Sequence, residues 1–379
     1  MKRRLPPLVL AVAFAATVTL YSLATPVFEA PDEVWHYAYV RYLAEGYGLP
    51  SLTDNESGAN QEVAQPPLYY AVAALASGLV SDDDLPTLMW HNPGFGYPSG
   101  GTTNDNKNML IHTDREAFPW QGAVLAIRLA RLVSLLFGVG AVVATWGLAR
   151  EAFPRHPGRA LGAAALVALT PQFLFISGVV SNDSAAAALS TAALWMLARI
   201  LNRGSTTRRV LIAGALMGLA TLTKTSCLLL GLPALIALVV AHRRHGRGTR
   251  RLLLDLVLAG GATAAVSGWW YLRNALRYGD PLALQAHVET LWGRADPASL
   301  GTLLSELPIV FRSYWGAFGW GHVTYPTGVY VVIGGAVALG VAGWVWSLRR
   351  RETPGRGWIL ALVALWGALV FAALLQWRR

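Results

Sequence analysis

Charge is scarce in this chain of 379 residues. Asp, Glu, Lys and Arg together make up 14% of it, whereas hydrophobic residues make up 54%. That balance excludes an ordinary soluble domain, which takes about a quarter of its residues from the charged set. Cysteine is almost missing: Cys227 stands alone, so no intrachain disulfide can form and the redox compartment cannot be read from it. Lysine is nearly as rare, with Lys2, Lys107 and Lys224 the only three among 31 basic residues. No internal repeat is evident, and no polar stretch has the composition of a separate soluble domain.

Acidic residues are missing where basic ones gather. Lys2, Arg3 and Arg4 form a first basic cluster. Further clusters are Arg150, Arg155 and Arg159, then Arg199, Arg203, Arg208 and Arg209, then Arg243, Arg244, Arg247, Arg250 and Arg251, and last Arg349, Arg350, Arg351 and Arg356. Only Glu151, Asp255 and Glu352 accompany them. A net charge of +10 distributed in this way is an orientation signal for a membrane protein, not a nucleic-acid surface. Nucleic acid is therefore not expected as a partner; the lipid bilayer is.

Between the basic clusters lie apolar runs of the roughly 20 residues that a membrane crossing needs. Residues 5–27 form the first, longer than a signal-peptide core. That length favours an uncleaved anchor over a signal cut after Ser22-Leu23-Ala24. Residues 122–149, 160–180 and 185–200 give three more crossings. The run at 210–241 is broken by Thr223-Lys224-Thr225-Ser226 and flanked by basic clusters on both sides. It therefore crosses an even number of times, as a hairpin with Lys224 at its outer turn. Residues 252–272, 328–348 and 357–376 complete the set. The expectation is an all-α, polytopic membrane protein of about nine transmembrane helices, one transmembrane domain over residues 1–379, with its amino terminus in the cytoplasm. The localisation is the inner (plasma) membrane.

Two external segments follow from that topology, 28–121 and 273–327. In the first, Pro31 suits the first position of a helix, and Trp35, Ala38, Tyr39, Tyr42 and Leu43 recur at helical spacing. An amphipathic interfacial helix is expected over residues 31–45. A second short helix is expected from Gln65-Pro66-Pro67-Leu68 to about residue 80, too short to cross. Residues 81–120 read as irregular loop. Arg378 and Arg379 fall on the outer side against the charge rule, which implies that the natural chain continues.

Five polar groups then collect on the outer face: Asp32-Glu33 with His36, Arg128 and Arg131, Asn182-Asp183, Lys224, and Arg273-Asn274. Each has an ordinary reading. Acids after a proline complement a helix dipole, and a lysine near a helix end snorkels to the interface. Asp32 and His36, four apart, suit either a carboxylate orienting an imidazole or two ligands of one cation. A cation would need another ligand, such as Glu62 or His322. Carboxylates at one point and several cations at the same depth suit a general base facing an anionic leaving group. A polyprenyl phosphate fits, since its tail needs lipid and its phosphate needs Arg and Lys.

Pro31-Asp32-Glu33 with His36, Gln65-Pro66-Pro67-Leu68-Tyr69-Tyr70 and Ser181-Asn182-Asp183 resemble, in that order, the GT-C superfamily of membrane glycosyltransferases. The similarity extends through Leu222-Thr223-Lys224-Thr225, Trp270-Tyr271-Leu272-Arg273-Asn274, Tyr278-Gly279-Asp280-Pro281 and Phe318-Gly319-Trp320-Gly321. It is strongest toward bacterial relatives of protein O-mannosyltransferases and lipid A aminoarabinose transferases. The resemblance implies a GT-C-like fold and inverting transfer of a sugar from a polyprenyl-phosphate donor to an extracytoplasmic glycan, lipid or protein. Asp32 would be the general base, with Glu33 as its partner in the catalytic pair or a cation ligand. His36, Gln65, Arg128, Arg131, Asn182, Asp183, Lys224, Arg273 and Asn274 would bind substrate. The resemblance also admits a divalent cation (Mg, Mn or Zn) held by Asp32, Glu33 and His36. The chain lacks the further helices and Arg-Tyr motif of its relatives, which implies a C-terminally truncated member, and it lacks the His-Pro-Pro form of the first loop. Two other classes compete: a transporter or flippase of lipid-linked saccharides, and a non-catalytic membrane assembly protein.

Overall fold

Long runs of Ala, Leu, Val and Gly become helices here because in lipid only a helix satisfies every backbone N–H and C=O within its own segment. The computed structural model describes residues 5–53, 56–95, 108–284, 298–348 and 355–378. The Lys2–Arg4 cluster, Lys107, Arg349 to Arg351, Glu352 and Arg379 lie outside them. Helix α1 (Leu5–Ala24) is followed by the first external segment with α2 (Glu33–Ala44) and α3 (Leu68–Ser77). Then come α4 (Gly122–Ala152), α5 (Pro157–Ala168), α6 (Pro171–Ser177), α7 (Asp183–Arg203), α8 (Thr207–Thr221), α9 (Gly231–Arg244) and α10 (Thr249–Tyr278). The chain ends with α11 (Leu300–Gly316), a two-stranded hairpin of β1 (Ala317–Phe318) and β2 (Val323–Thr324), α12 (Thr327–Leu348) and α13 (Arg356–Arg378).

Among the described residues seven helical segments are long and apolar enough to cross a membrane, or eight if α5 and α6 form one span bent by 63°. The bend falls where Pro171 cannot donate to a continuing helical ladder. The expected nine is not reached because α8 has only 15 residues, about 22 Å of helix against roughly 30 Å of hydrocarbon. The break at Lys224 is present as expected, with a 3-10 turn over Thr225–Leu230 leading into α9.

Three elements differ from expectation. Helix α10 does not stop at residue 272 but runs to Tyr278, where Gly279 takes the left-handed conformation that ends it. Arg273 and Asn274 are therefore helical residues. The second external segment holds a 17-residue helix, α11, that no expectation named. Helix α2 buries Glu33, His36, Tyr37, Tyr39 and Val40; of the expected stripe only Tyr39 is buried, while Trp35, Ala38, Tyr42 and Leu43 stay partly exposed. Its polar groups face inward.

Small residues allow the helices to approach closely. Gly214 and Gly218 lie one turn apart on α8 against α10. A Cβ at Gly218 would sit 2.7 Å from Val266, and one at Gly214 would collide with the Ala259 carbonyl. Thr263 Oγ1 donates to Gly214 O at 3.0 Å, and the Thr221 and Ser267 hydroxyls meet at 2.9 Å.

One ion pair ties the membrane bundle to the first external segment. Glu33 and Arg131 are both fully buried. Arg131 Nε and Nη2 donate to the two carboxylate oxygens of Glu33 at 2.7 Å each. The guanidinium also donates to Ser22 O (2.9 Å), Thr25 O (2.8 Å) and Pro26 O (2.9 Å), at the end of α1 and just beyond it. Glu33 in turn accepts from Phe28 N (3.1 Å) and Val180 N (2.8 Å). Removing one partner strands a buried charge, which costs about 3–5 kcal/mol. Arg131→Met is expected to lower the thermal midpoint of the detergent-solubilised protein sharply. Arg131→Lys should not rescue it, because an ammonium cannot reproduce the two-pronged geometry. A midpoint near wild type for either variant would refute this role.

Candidate active site

Asp32 enters α2 through an unusual backbone. Its φ of 61° lies in the left-handed region that favours glycine. Its carbonyl accepts from Trp35 N (3.0 Å) and His36 N (2.9 Å). The side chain does not cap the helix; Oδ1 accepts from Gln61 Nε2 at 3.4 Å. Such a conformation persists only where the surroundings impose it, and Glu33, the next residue, is anchored by Arg131. The carboxylate of Asp32 is thereby turned away from helix capping and toward a polar cluster.

His36 stands one turn further along α2. Its Nδ1 lies 2.8 Å from the Tyr70 hydroxyl and 3.3 Å from Glu62 Oε2. Tyr70 donates to Glu62 at 2.9 Å, which assigns the imidazole proton to Nδ1, donating toward Tyr70, and leaves Nε2 as an acceptor. Tyr39 stacks on Tyr70 with ring centroids 4.0 Å apart. Asn182 Nδ2 approaches three acceptors: Thr223 O (3.3 Å), Tyr70 Oη (3.4 Å) and Gln65 Oε1 (3.5 Å). The adjacent Asp183 forms an ion pair with Lys224. Leu68 N donates to Leu222 O at 2.9 Å, so α3 is fastened to the turn that carries Lys224.

The electrostatics place these groups around one another. Burial pushes the Asp32 carboxyl up to about 6, with Glu62 and Asp183 adding repulsion and His36 and Lys224 opposing it. Burial pushes Glu62 up to about 7, against the pull of Lys224 and the Tyr70 hydrogen bond. Burial pushes His36 down to about 4 in spite of Asp32 and Asp183. At neutral pH the cluster therefore holds a neutral imidazole, an ionised Asp32 and a Glu62 that shares its proton with solvent about equally. A carboxylate poised near the working pH has the basicity of a proton acceptor.

The predicted residues divide into three groups. Asp32, His36, Gln65, Asn182, Asp183 and Lys224 come together. Glu33, Arg131 and Arg128 do not join them: Glu33 and Arg131 bond to each other, and Arg128 bonds to Ser22 O and lies over the Trp120 ring at 5.3 Å. Arg273 and Asn274 form a third group. Arg273 lies over Trp270 (5.0 Å) and Tyr278 (5.5 Å) and donates to Pro50 O at 3.3 Å and to Asn274 Oδ1 at 3.0 Å. Tyr39 lies within electrostatic reach of both Arg273 and Glu62.

The expected cation set of Asp32, Glu33 and His36 is not assembled, because both oxygens of Glu33 are taken by Arg131 and backbone N–H groups. Among the described residues no three His, Cys, Asp or Glu side chains are grouped to hold a metal ion.

Glu62 and Tyr70 are the centre of the cluster, yet the sequence reading gave them little weight. Glu62 was named there only as a further cation ligand. Its signal is an acid three residues before Gln65-Pro66-Pro67, the last of the three acids Asp54, Glu56 and Glu62 that precede that motif. Trp320 is a second addition. The glycines of Phe318-Gly319-Trp320-Gly321 take positive φ in the β1–β2 turn, and the turn presses Trp320 against Trp35 of α2 at 5.8 Å.

Because Asp32 keeps its proton to about pH 6 in the folded chain and releases it near 3.8 when unfolded, the folded state binds more protons between those values. Asp32's own contribution to stability should therefore fall as pH rises from about 4 to about 6 and stay lowered above it, while the depressed His36 works in the opposite direction over the same range. At about 1.4 kcal/mol per pH unit the loss is about 2–3 kcal/mol. Asp32→Asn is expected to raise the thermal midpoint at pH 8 and to leave it unchanged at pH 4. An equal effect at both pH values would show that the Asp32 charge is well solvated.

Among protein families, the model described as dolichyl-phosphate-mannose-protein mannosyltransferase matches residues 125–271. None of the curated protein sequences compared with the chain matches it. Solved structures of the Archaeoglobus fulgidus oligosaccharyltransferase share the fold. The apo form superimposes with a TM-score of 0.52 at 17% identity, covering 98% of this chain and 48% of that one. The form in complex with Zn and sulfate gives 0.53 at 17% identity, covering 96% and 46%. The chain thus spans about half the length of the solved structures it matches. It shares its fold with the matched half of that oligosaccharyltransferase, and its residues 125–271 are similar to the mannosyltransferase family model.

Proposed function

We propose that the chain transfers a sugar from a polyprenyl-phosphate donor to an acceptor hydroxyl on the extracytoplasmic side, with inversion at the anomeric carbon. The observation that carries this reading is the half-buried Asp32 carboxylate beside Lys224, with its basicity raised to about 6. The acceptor oxygen attacks the anomeric carbon, its proton passes to Asp32, and the bond from that carbon to the phosphate oxygen breaks. The departing phosphate takes the electron pair, and Lys224 stabilises the charge that develops on it. In the free protein Lys224 is paired with Asp183, so an arriving phosphate competes with a carboxylate for one ammonium. Arg273, held apart over Trp270 and Tyr278, would meet a phosphate oxygen only if the bound donor extends beyond Lys224.

His36, Gln65 and Asn182 orient the sugar through the polar edge they present around Tyr70. The aromatic pair Trp35 and Trp320 forms an apolar wall next to Asp32. A protein acceptor, as in the matched mannosyltransferase family, a glycan and a lipid all offer the hydroxyl this chemistry needs. The divalent cation expected from the resemblance has no assembled ligand set among the described residues. The arginine-rich ends of α4, α7 and α9 lie on the side away from Asp32, and the positive-inside rule supports an extracytoplasmic site in the plasma membrane.

Transfer of labelled sugar from a polyprenyl-phosphate sugar in proteoliposomes tests the reading. The rate should rise as pH increases to about 6 and then level off. Asp32→Asn should lower it by about 10²–10⁴-fold, and Lys224→Met by about 10²–10³-fold. Turnover near wild type in Asp32→Asn would remove the base. Movement of the labelled lipid between leaflets without product would favour the transporter reading instead.

A further inference from the structure

The ends of α4, α7 and α9 remote from Asp32 contain more cation than the described carboxylates neutralise. Helix α4 has 31 residues, about 46 Å of rise, so Arg150 and Glu151 sit on the opposite membrane face from the candidate active site. Glu151 serves several groups at once. Arg203 Nη2 lies 2.7 Å and Arg199 Nε 3.7 Å from its Oε1. Asn202 Nδ2 donates to its carbonyl at 2.9 Å and to its Oε2 at 3.3 Å. Arg244, in the last turn of α9, reaches the same place. A Cβ added to Gly355 would lie 2.6 Å from both Arg244 Nη1 and Asn202 Oδ1. Gly355 has φ 96° and leads into α13, whose Ile359 and Leu362 are buried in the core formed by α7, α8 and α9. Four helix ends therefore converge on one point.

At these helix ends the described residues offer few acceptors. Arg199 and Arg203 share one carboxylate. The Nη1 atoms of Arg150 and Arg244 are shielded from solvent and have no hydrogen-bond partner among the described residues. The positive-inside rule and the helix dipole account for arginines at these helix ends. They do not account for guanidinium N–H groups turned inward with nothing to accept from them, which is costly in any environment. An anion with several oxygens would satisfy them. The junction lies at a membrane boundary, and Trp358, 47% exposed, stands beside it as an interfacial aromatic anchor.

We infer that the junction of α4, α7, α9 and the start of α13 binds the phosphate head group of an anionic phospholipid, with Arg150 and Arg244 as its principal donors. Basic pockets between helix ends are a known setting for such head groups. The acyl chains would lie along the lipid-facing side of α9, where Leu232 and Leu235 are exposed.

The test uses the full chain, purified in detergent and stripped of lipid, with its thermal midpoint followed as lipid is added. Phosphatidylglycerol is expected to raise the midpoint by several degrees, saturably and less at high salt. Phosphatidylcholine and inorganic phosphate at equal concentration should have little effect. The double variant Arg150→Gln/Arg244→Gln should lose the phosphatidylglycerol shift. Should it not fold, the single variant Arg244→Gln should halve the shift or more, and native mass spectrometry of the wild type should retain phosphatidylglycerol in preference to phosphatidylcholine. An equal rise with phosphatidylcholine, a full rise with inorganic phosphate alone, or an undiminished shift in the variants would each overturn the assignment.

Discussion

The buried pair of Glu33 and Arg131 is the constraint from which the candidate site takes its shape. A buried ion pair is weak evidence of net stability, because desolvating two charges offsets most of what their attraction returns. Its value here is geometric. Arg131 projects from α4 and grips three backbone carbonyls near the end of α1, while Glu33 grips two backbone N–H groups, one before α2 and one before α7. Three stretches far apart in sequence, residues 22–33, Arg131 and Val180, are thereby held at fixed distances by one carboxylate and one guanidinium. Neither group has a donor or acceptor left over for a substrate.

That anchoring explains the geometry next to it. Next to the pinned Glu33, Asp32 occupies the N-cap of α2 at φ 61° without a side-chain capping bond, its carboxylate in the field of Glu62, His36 and Lys224. Two acids adjacent in sequence thus acquire opposite characters. Glu33 is a fully paired structural charge, whereas Asp32 is half-buried, weakly bonded and of raised basicity. Placing the proposed base beside a rigid neighbour is a form of preorganisation, since it would need no ordering when a substrate arrives.

Much of this could be read from residue order. The apolar runs, the break at Lys224, the short helices after the first span and the gathering of Asp32, His36, Asn182 and Lys224 follow from hydropathy, charge parity and motif spacing. Three features could not be read that way. Nothing in Asp32-Glu33 says which acid is structural, because that depends on Arg131, 98 residues away. Arg273 was drawn into the cluster by its position at a span's outer end, but α10 continues through it to Gly279 and its ring partners Trp270 and Tyr278 hold it apart. The inward face of α2 was misjudged because Tyr37 and Val40 do not fall on the apolar stripe through Trp35 and Tyr42. Tertiary packing of tyrosines, not amphipathic periodicity, decides what that helix buries.

Two histidines in the same external segment show how the fold separates holding from reacting. Burial works against charge on His112, yet hydrogen bonds from both ring nitrogens to Glu116 and Glu29 push it up to about 9. Glu29 also accepts from Met109 N and Leu110 N at 2.8 Å, and Glu116 accepts from Val27 N at 3.0 Å. A charged imidazole between two carboxylates therefore clips the loop near residue 110 to the linker that leads into Asp32. His36 is buried more deeply and bonds first to a neutral tyrosine hydroxyl, so desolvation prevails and it stays uncharged. Had His36 been a cation, it would have lowered the basicity of Asp32 and competed with Lys224 for any incoming phosphate. Keeping it neutral leaves Lys224 as the cation of the cluster and spares Asp32 a further pull on its proton, as the proposed chemistry requires.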